Sequence, residues 1–388
     1  MRNLMIYWFF GLLISCSQSQ SFRKIELISK RLIEIPLDDQ TSPDWFFVQT
    51  IDLIGEEYLV FHDHIRSDPK FIYFSHITDR QKSFKTPLYL DGPNGIGHLD
   101  GFHVRNLDSI FVLNRYKYEL NLVDSSGKVK DRFRLRKDNS NGPATHSTAL
   151  PFIWSFAPVI DLGDKLIIPS IPEREPFESN YQNQTLTIEL NLKTKSVEYR
   201  LGYTDRYFDS GFWGLQLEAP SYTVNYNDSV ILQSFPIEDR LMVYDFKLNL
   251  LQSPSLFSNY YSNVFQSLPD LNRDPFVFYP HIYSNPKNNI LLYDHYRNLY
   301  YRIMTSSYPS KTIESWEKSG LFGEMGNNDY PNRMIMVFDR NFNEIGVIDI
   351  DQNQYWIDFI RIVKDGIIIQ RQTKDENKCT FELFEIEF

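Results

Sequence analysis

The chain has 388 residues, 40 lysines and arginines against 50 aspartates and glutamates, and a formal net charge of −10. An acidic chain without a Lys/Arg block offers no electrostatic footprint for nucleic acid, and its two cysteines cannot build a disulfide framework, a zinc quartet or a Cys-x-x-Cys redox pair. Stability must come from burial: 30 Phe, 24 Tyr and 6 Trp supply apolar area, while 20 Pro and 17 Gly point to strands and turns.

The chain opens MRNLMIYWFFGLLISC. Arg2 gives a positive start, Leu4 to Ile14 carries no charge, and Leu13-Ile14-Ser15-Cys16 follows. That is the pattern of a secretion signal, and the apolar run is too short to span a bilayer. Its last four residues resemble the lipobox of bacterial lipoproteins. The resemblance implies that residues 1–15 are removed, that Cys16 is acylated, and that residues 16–30 tether the protein to a membrane. Burial of such chains stabilises an anchor by about 0.8 kcal/mol per methylene. Ser17, where an aspartate would resemble an inner-membrane retention signal, implies the outer membrane of a Gram-negative envelope, on either side of it.

From residue 31 onwards one local event recurs: a turn of Asp, Asn, Gly or Lys, then a short apolar strand. Gly55-Glu56-Glu57 precedes Tyr58–Phe61, Asp108-Ser109 precedes Ile110–Leu113, and Gly163-Asp164-Lys165 precedes Leu166–Ile168. Asn227-Asp228-Ser229 precedes Val230–Leu232, Lys287-Asn288-Asn289 precedes Ile290–Leu292, and Lys364-Asp365-Gly366 precedes Ile367–Ile369. These turn residues tolerate left-handed backbone, and the runs suit strands buried on both faces. A second hairpin trails most copies, as at Glu119–Val123 with Arg132–Leu135, or Met334–Asp339 with Ile345–Ile348. Two hairpins per unit make a four-stranded antiparallel blade, and six blades in a ring remove exposed sheet edges. The final unit has an outer strand, Phe381 to Phe388, without a return strand, and Leu32–Leu37 lacks a partner; pairing the two closes the ring. The expectation is an all-β, six-bladed β-propeller over residues 31–388, with a short helix around Ile313, Trp316 and Leu321.

Three segments resemble an uncharacterised family of bacterial lipoproteins with a TolB-like six-bladed β-propeller. They are Gly92-Pro93-Asn94-Gly95-Ile96-Gly97 leading to Phe102-His103-Val104, the turn-strand Leu107–Val112, and Val337-Phe338-Asp339-Arg340. The family brings no established activity, so the resemblance transfers no catalytic residue.

Chemistry is sparse. His62-Asp63-His64 places two imidazoles on one strand face, but no third ligand is identifiable, so it reads as a polar strand end. His98 and His103 lie five residues apart across a strand start and cannot share a ligand. Asp349-x-Asp351-x-Asn353 begins like a calcium loop but has Gln354 where the turn needs Gly and Ile360 where it needs Glu. No nucleophile elbow, zinc-protease helix or phosphate loop is present, and no metal or cofactor is expected. Cys379 reads as packing. The useful pattern is positional: loops leaving the second strand of each blade gather at one mouth of the central channel. That puts His62, His64, Arg115, Asp294 and Arg371 there, with Trp154, His281, Trp356 and Asp358 added from inner strands. A funnel with aromatic walls and a few polar groups suits an envelope protein, peptide or glycan.

The expected function is therefore a non-catalytic, membrane-anchored recognition propeller. The alternatives are an envelope hydrolase or lyase of glycans or peptides, using a pair such as Asp294 with His281 or His64, and a structural subunit of an envelope complex.

Overall fold

The computed structural model describes residues 24–38, 41, 47–62, 68–136, 149–172, 181–182, 184–208, 211–256, 265, 267–268, 275–319, 331–372 and 375–387. β1 (Glu26–Pro36) is followed by blade 1, formed by β2 (Val48–Leu53), β3 (Glu56–His62), β4 (Lys70–His76) and β5 (Phe84–Leu88). Blade 2 comprises β6 (Gly101–Asn106), β7 (Ser109–Asn114), β8 (Glu119–Val123) and β9 (Val129–Arg134). Blade 3 has a split inner position, β10 (Ala149–Pro151) and β11 (Ile160–Asp161), both paired with β12 (Lys165–Pro172). It continues with β13 (Thr187–Asn191) and β14 (Val197–Arg200). After α1 (Leu215–Glu218), blade 4 contains β15 (Ser221–Asn225), β16 (Val230–Ser234), β17 (Leu241–Asp245) and β18 (Leu250–Gln252). α2 (Pro275–Ser284) leads to blade 5: β19 (Lys287–Asp294), β20 (Leu299–Thr305), α3 (Ser310–Ser319), β21 (Arg333–Phe338) and β22 (Glu344–Asp349). Blade 6 holds β23 (Tyr355–Val363), β24 (Gly366–Arg371) and β25 (Lys378–Glu387).

The ring is a six-bladed antiparallel β-propeller, and β1 is the outermost strand of its last blade. Ile33 sits opposite Phe381 and Ile35 opposite Cys379. These four side chains join Val48, Leu59 and Phe61 of blade 1 in one buried cluster, so the closing strand also seals the seam to the next blade. Cys379 is fully buried there, as a packing residue. Pairing starts at Glu26, within the stretch expected to be tether, and the Ile25 N–H donates to the Val347 carbonyl at 2.9 Å.

Because each strand reverses the last, the turns from inner to second and from third to outer strand fall on one face of the ring. The connections from second to third strand and from blade to blade fall on the other. The first face is made of tight turns. Four third-to-outer turns carry a left-handed residue near their end: Gly127, Lys195, Leu248 and Phe342, with φ of 80°, 58°, 63° and 66°. A side-chain acceptor opens each of them. Asp124, Asp245 and Asp339 take backbone N–H groups two and four residues on, at 2.8–3.1 Å, and Asn191 takes those of Lys193 and Thr194. Such side chains satisfy donors that a tight reversal would otherwise leave bare.

One repeat unit departs from the expected register. Ile290–Leu292 belongs to β19, which is the inner strand of blade 5, because α2 and not a hairpin strand precedes it. The turn-strand event of that blade is His295–Asn298 leading into β20, with Asn298 at φ 57°. The helix expected near Trp316 is α3, whose buried Trp316 packs 5.1 Å from Tyr283 of α2; Leu321 lies outside the described residues.

Candidate functional site

The long connections concentrate on one face. They include residues 89–100 before blade 2, 201–220 before blade 4, 253–286 before blade 5 and 306–332 inside blade 5. Underneath, the axis is closed. Residues 152–157, within the segment between β10 and β11, leave the inner edge of blade 3 and cross the ring. The Val48 N–H of blade 1 donates to Ser155 Oγ at 2.9 Å, and the Tyr222 N–H of blade 4 donates to the Phe156 carbonyl at 2.9 Å. Phe156 packs against the cores of blades 3–4 and of blades 5–6, and Ile153 presses on Gly101 of blade 2, where a Cβ would stand 2.8 Å from Ile153 Cβ. Trp154, expected in the wall of a funnel, is thus part of the segment that fills it, stacked 5.1 Å from Phe152.

The other expected site residues do not converge. Asp294 ends β19 on the short-turn face. Fully buried, it accepts the N–H groups of Tyr296 and Arg297 at 3.0 Å, the Tyr301 hydroxyl at 3.1 Å and Arg297 Nη1 at 2.7 Å. His281 is on α2 at the opposite end of that eight-residue strand, a separation of about 25 Å, so the two cannot form an acid–base pair. Its Nε2–H donates to the Trp213 carbonyl at 3.0 Å, and burial holds its pKa below the ordinary histidine value. His62 is buried, edge-on to Phe102 at 5.8 Å, and His64 lies outside the described residues. Trp356 is 40% exposed on the long-loop face. Nearby, Arg371 lies 3.4 Å from Glu382, which also accepts the Tyr355 hydroxyl at 2.8 Å; burial and that carboxylate push Tyr355 up to about 12. The side chain of Asp358 lies outside the described set. Asp351 uses both carboxylate oxygens within its own turn, on the Asn353 N–H and Gln354 Nε2.

Of the expected residues, Arg115 does join a constellation, and its partners were not foreseen. Arg115 and Tyr116 form the turn after β7, and His98 and Asp100 come from the connection before β6. Asp100, with its side chain 9% exposed, accepts the Arg115 N–H at 2.8 Å, and the same oxygen lies 3.0 Å from His98 Nδ1. The Arg115 guanidinium lies 3.9 Å from its other oxygen and 5.5 Å from the Tyr116 ring centre. His98 meets Tyr116 edge-on at 5.0 Å. The two loops are locked together. Gly97, at φ 75°, lies so close to Asn114 that a Cβ would stand 2.5 Å from its Nδ2, and that same amide donates to the Ile96 carbonyl at 3.0 Å. A short His-x-Asp between a glycine-rich connector and an inner strand was the available signal; pairing His98 with His103 obscured it. His103 instead contacts Asp161 at 3.2 Å, with Arg105 bidentate to the same carboxylate at 2.6 Å.

A profile described as a domain of unknown function, DUF4221, matches residues 24–347. The chain belongs to that family. A DUF4221 member from Bacteroides vulgatus superposes on the propeller with a TM-score of 0.78 at 19% identity, covering 94% of this chain and 99% of that one. A Bacteroides fragilis protein, provisionally assigned as exported, gives 0.52 at 11% identity, with 94% and 96% covered. No curated protein matches. At these identities the likeness concerns the fold. The constellation on blade 2 of this DUF4221 chain stands on its own geometry.

Around it the long-loop face carries a second aromatic layer. Tyr181, Tyr203, Tyr207 and Phe235 contact one another at ring distances of 4.8–6.0 Å. Buried Glu218 fixes this layer by accepting the Tyr181 hydroxyl at 2.7 Å and the Gly214 N–H at 3.1 Å. The described residues of the connection before blade 4 are therefore held in place by this packing.

Proposed function

We propose that this DUF4221 chain is a lipid-anchored, non-catalytic recognition propeller of the outer membrane, and that its long-loop face binds an envelope protein, peptide or glycan. The observation carrying this reading is the placement of exposed apolar side chains. Tyr89, Tyr116, Phe208, Val277 and Tyr279 project from connections of that face and Trp356 from the start of β23 beside them, against Ile54, Tyr226 and Tyr296 on the short-turn face. Exposed aromatics on a rigid support are a common basis of recognition. The anchor is Cys16, supported by the lipobox and by the resemblance to lipoproteins with TolB-like propellers. The assignment of the Bacteroides fragilis neighbour as exported agrees with it. Among the described residues no helix is long and apolar enough to cross a membrane.

Two measurements test the reading. Cys16→Ala should release the protein from the membrane fraction, and its continued sedimentation with lipid would sink the anchor. Capture from solubilised envelopes should retain a stoichiometric partner, lost when Tyr279 and Trp356 are changed to Ala without loss of folding. Capture indifferent to that change would rule out the face. A second reading, favoured by the His98–Asp100 contact, is a hydrolase or lyase of glycans or peptides with His98 as general base. Turnover abolished by His98→Ala would select it.

A further inference from the structure

The geometry points to the blade 2 constellation as a binding site for the carboxylate of a uronic-acid glycan, which deepens the recognition reading above. Asp100 is engaged internally: it holds the Arg115 backbone N–H and stands 3.0 Å from His98 Nδ1. What it leaves outward is a set of open groups. Among the described residues, His98 Nε2, the Arg115 Nη groups and the Tyr116 hydroxyl make no hydrogen bond, and Tyr116 is 70% exposed. A planar guanidinium fork matches a carboxylate with two parallel N–H···O bonds. The open tyrosine ring offers a flat surface for the C–H face of a pyranose, and His98 Nε2 can accept one of its hydroxyls. Recognition would rest on the directed N–H groups of the Arg115 fork and not on net charge, since Asp100 offsets the guanidinium and the whole chain carries −10.

The test is calorimetric titration of the intact protein with oligogalacturonate, its methyl ester, and peptides carrying a free C-terminal carboxylate. Expected are binding of the acid, a loss of about tenfold or more on esterification, and a similar loss in Arg115→Gln. Tyr116→Ala should weaken the acid and a neutral oligosaccharide alike. Equal binding of acid and ester, or unchanged affinity in Arg115→Gln, overturns the site. Binding of the peptides alone overturns the glycan assignment. If none of these ligands binds while envelope capture still depends on Tyr279 and Trp356, this inference fails and the recognition reading stands.

A separate observation fixes how such a site would stand relative to the membrane, given acylation at Cys16. The chain enters the ring at Lys24, bridged in parallel to Val347 on the outer strand of blade 5, and then becomes the outer strand of blade 6. Eight Cα steps separate Cys16 from Lys24, a reach of at most about 29 Å. In a six-bladed ring, blade 2 stands opposite blade 5. With strands about 4.8 Å apart, the path from that outer edge across the axis to the Arg115 turn exceeds about 30 Å. The structure thus assigns the blade 5–6 edge to the lipid surface and holds the blade 2 site away from it. Single thiols at Arg340 and Lys117, both exposed, can carry a donor dye, since Cys379 is buried and Cys16 is acylated. In vesicles with acceptor-labelled lipid, energy transfer should be stronger from Arg340→Cys than from Lys117→Cys. Equal or reversed transfer overturns the orientation, whereas failure of the wild type to float with vesicles overturns the anchor itself.

Discussion

The two faces of the ring are built from the same strands and obey different rules. On the short-turn face each reversal takes a few residues, and a left-handed residue or a capping carboxylate sits at nearly every one. On the long-loop face, connections of up to 34 residues add helices, aromatic layers and exposed rings. Tight turns leave no room for variation because backbone meets backbone; long loops are free to carry recognition because the ring beneath them is complete without them.

The sharpest way to break this contrast is a glycine series. Gly366→Ala would put a Cβ 1.8 Å from the Phe384 carbonyl, and Gly127→Ala one 2.0 Å from the Pro87 carbonyl. Each should cost about 4 kcal/mol, read by denaturant unfolding. Gly55, at φ 82° but facing open space, should cost only about 1 kcal/mol as Ala. Equal losses at all three would mean that close approach does not govern these turns. Ring closure comes next: Ile35→Ala, emptying a buried position beside Cys379, should cost about 3 kcal/mol, and an unchanged melting temperature would show that β1 is dispensable.

The third effect depends on pH. Burial raises the Asp161 pKa, but hydrogen bonds from His103 and Arg105 outweigh it and hold the carboxyl well below its ordinary 3.8. A depressed folded value means this contribution is complete above pH 3.8 and disappears as pH falls through the folded value. Asp161→Asn should lower stability at pH 7 by about 2–3 kcal/mol and flatten the acid limb of the stability profile. An unchanged acid limb would show that this bridge between blades 2 and 3 carries no such linkage. Smaller is His281 on the other face. Burial depresses its folded pKa, so its contribution is present above the ordinary 6.5 and is lost as pH falls below it. His281→Asn should reduce the fall in melting temperature between pH 8 and pH 5. An identical fall would place the proton elsewhere. The smallest stability effects are expected for Tyr116→Ala and Trp356→Ala, each within about 0.5 kcal/mol by thermal melting. Destabilisation well beyond that would show these rings to be structural and weaken the case for a binding face.

Turn-strand punctuation was legible because it is local. Asp108-Ser109 before Ile110–Leu113 needs no distant partner to be recognised, and five of six such events fell on second strands. The exception, Lys287–Leu292, shows the limit. An apolar run of this length reads the same whether a hairpin or a helix precedes it, and α2 decided the matter. That single shift of strand role carried Asp294 to the opposite face of the ring from Arg115. His98 and Asp100 were equally visible as letters, but their meeting with Arg115 depends on two loops pinned by Asn114.

The sequence by itself determined most strands, their turns and the repetition, which follow from period and local backbone preference, and it pointed to closure because Leu32–Leu37 and the last strand were each left without a partner. Only the tertiary structure decided which end of each strand faces which mouth, that residues 152–157 close the axis, and which polar side chains meet. Those outcomes depend on contacts between blades far apart in sequence, and an alternating pattern specifies the two faces of a strand without specifying what will stand across from either.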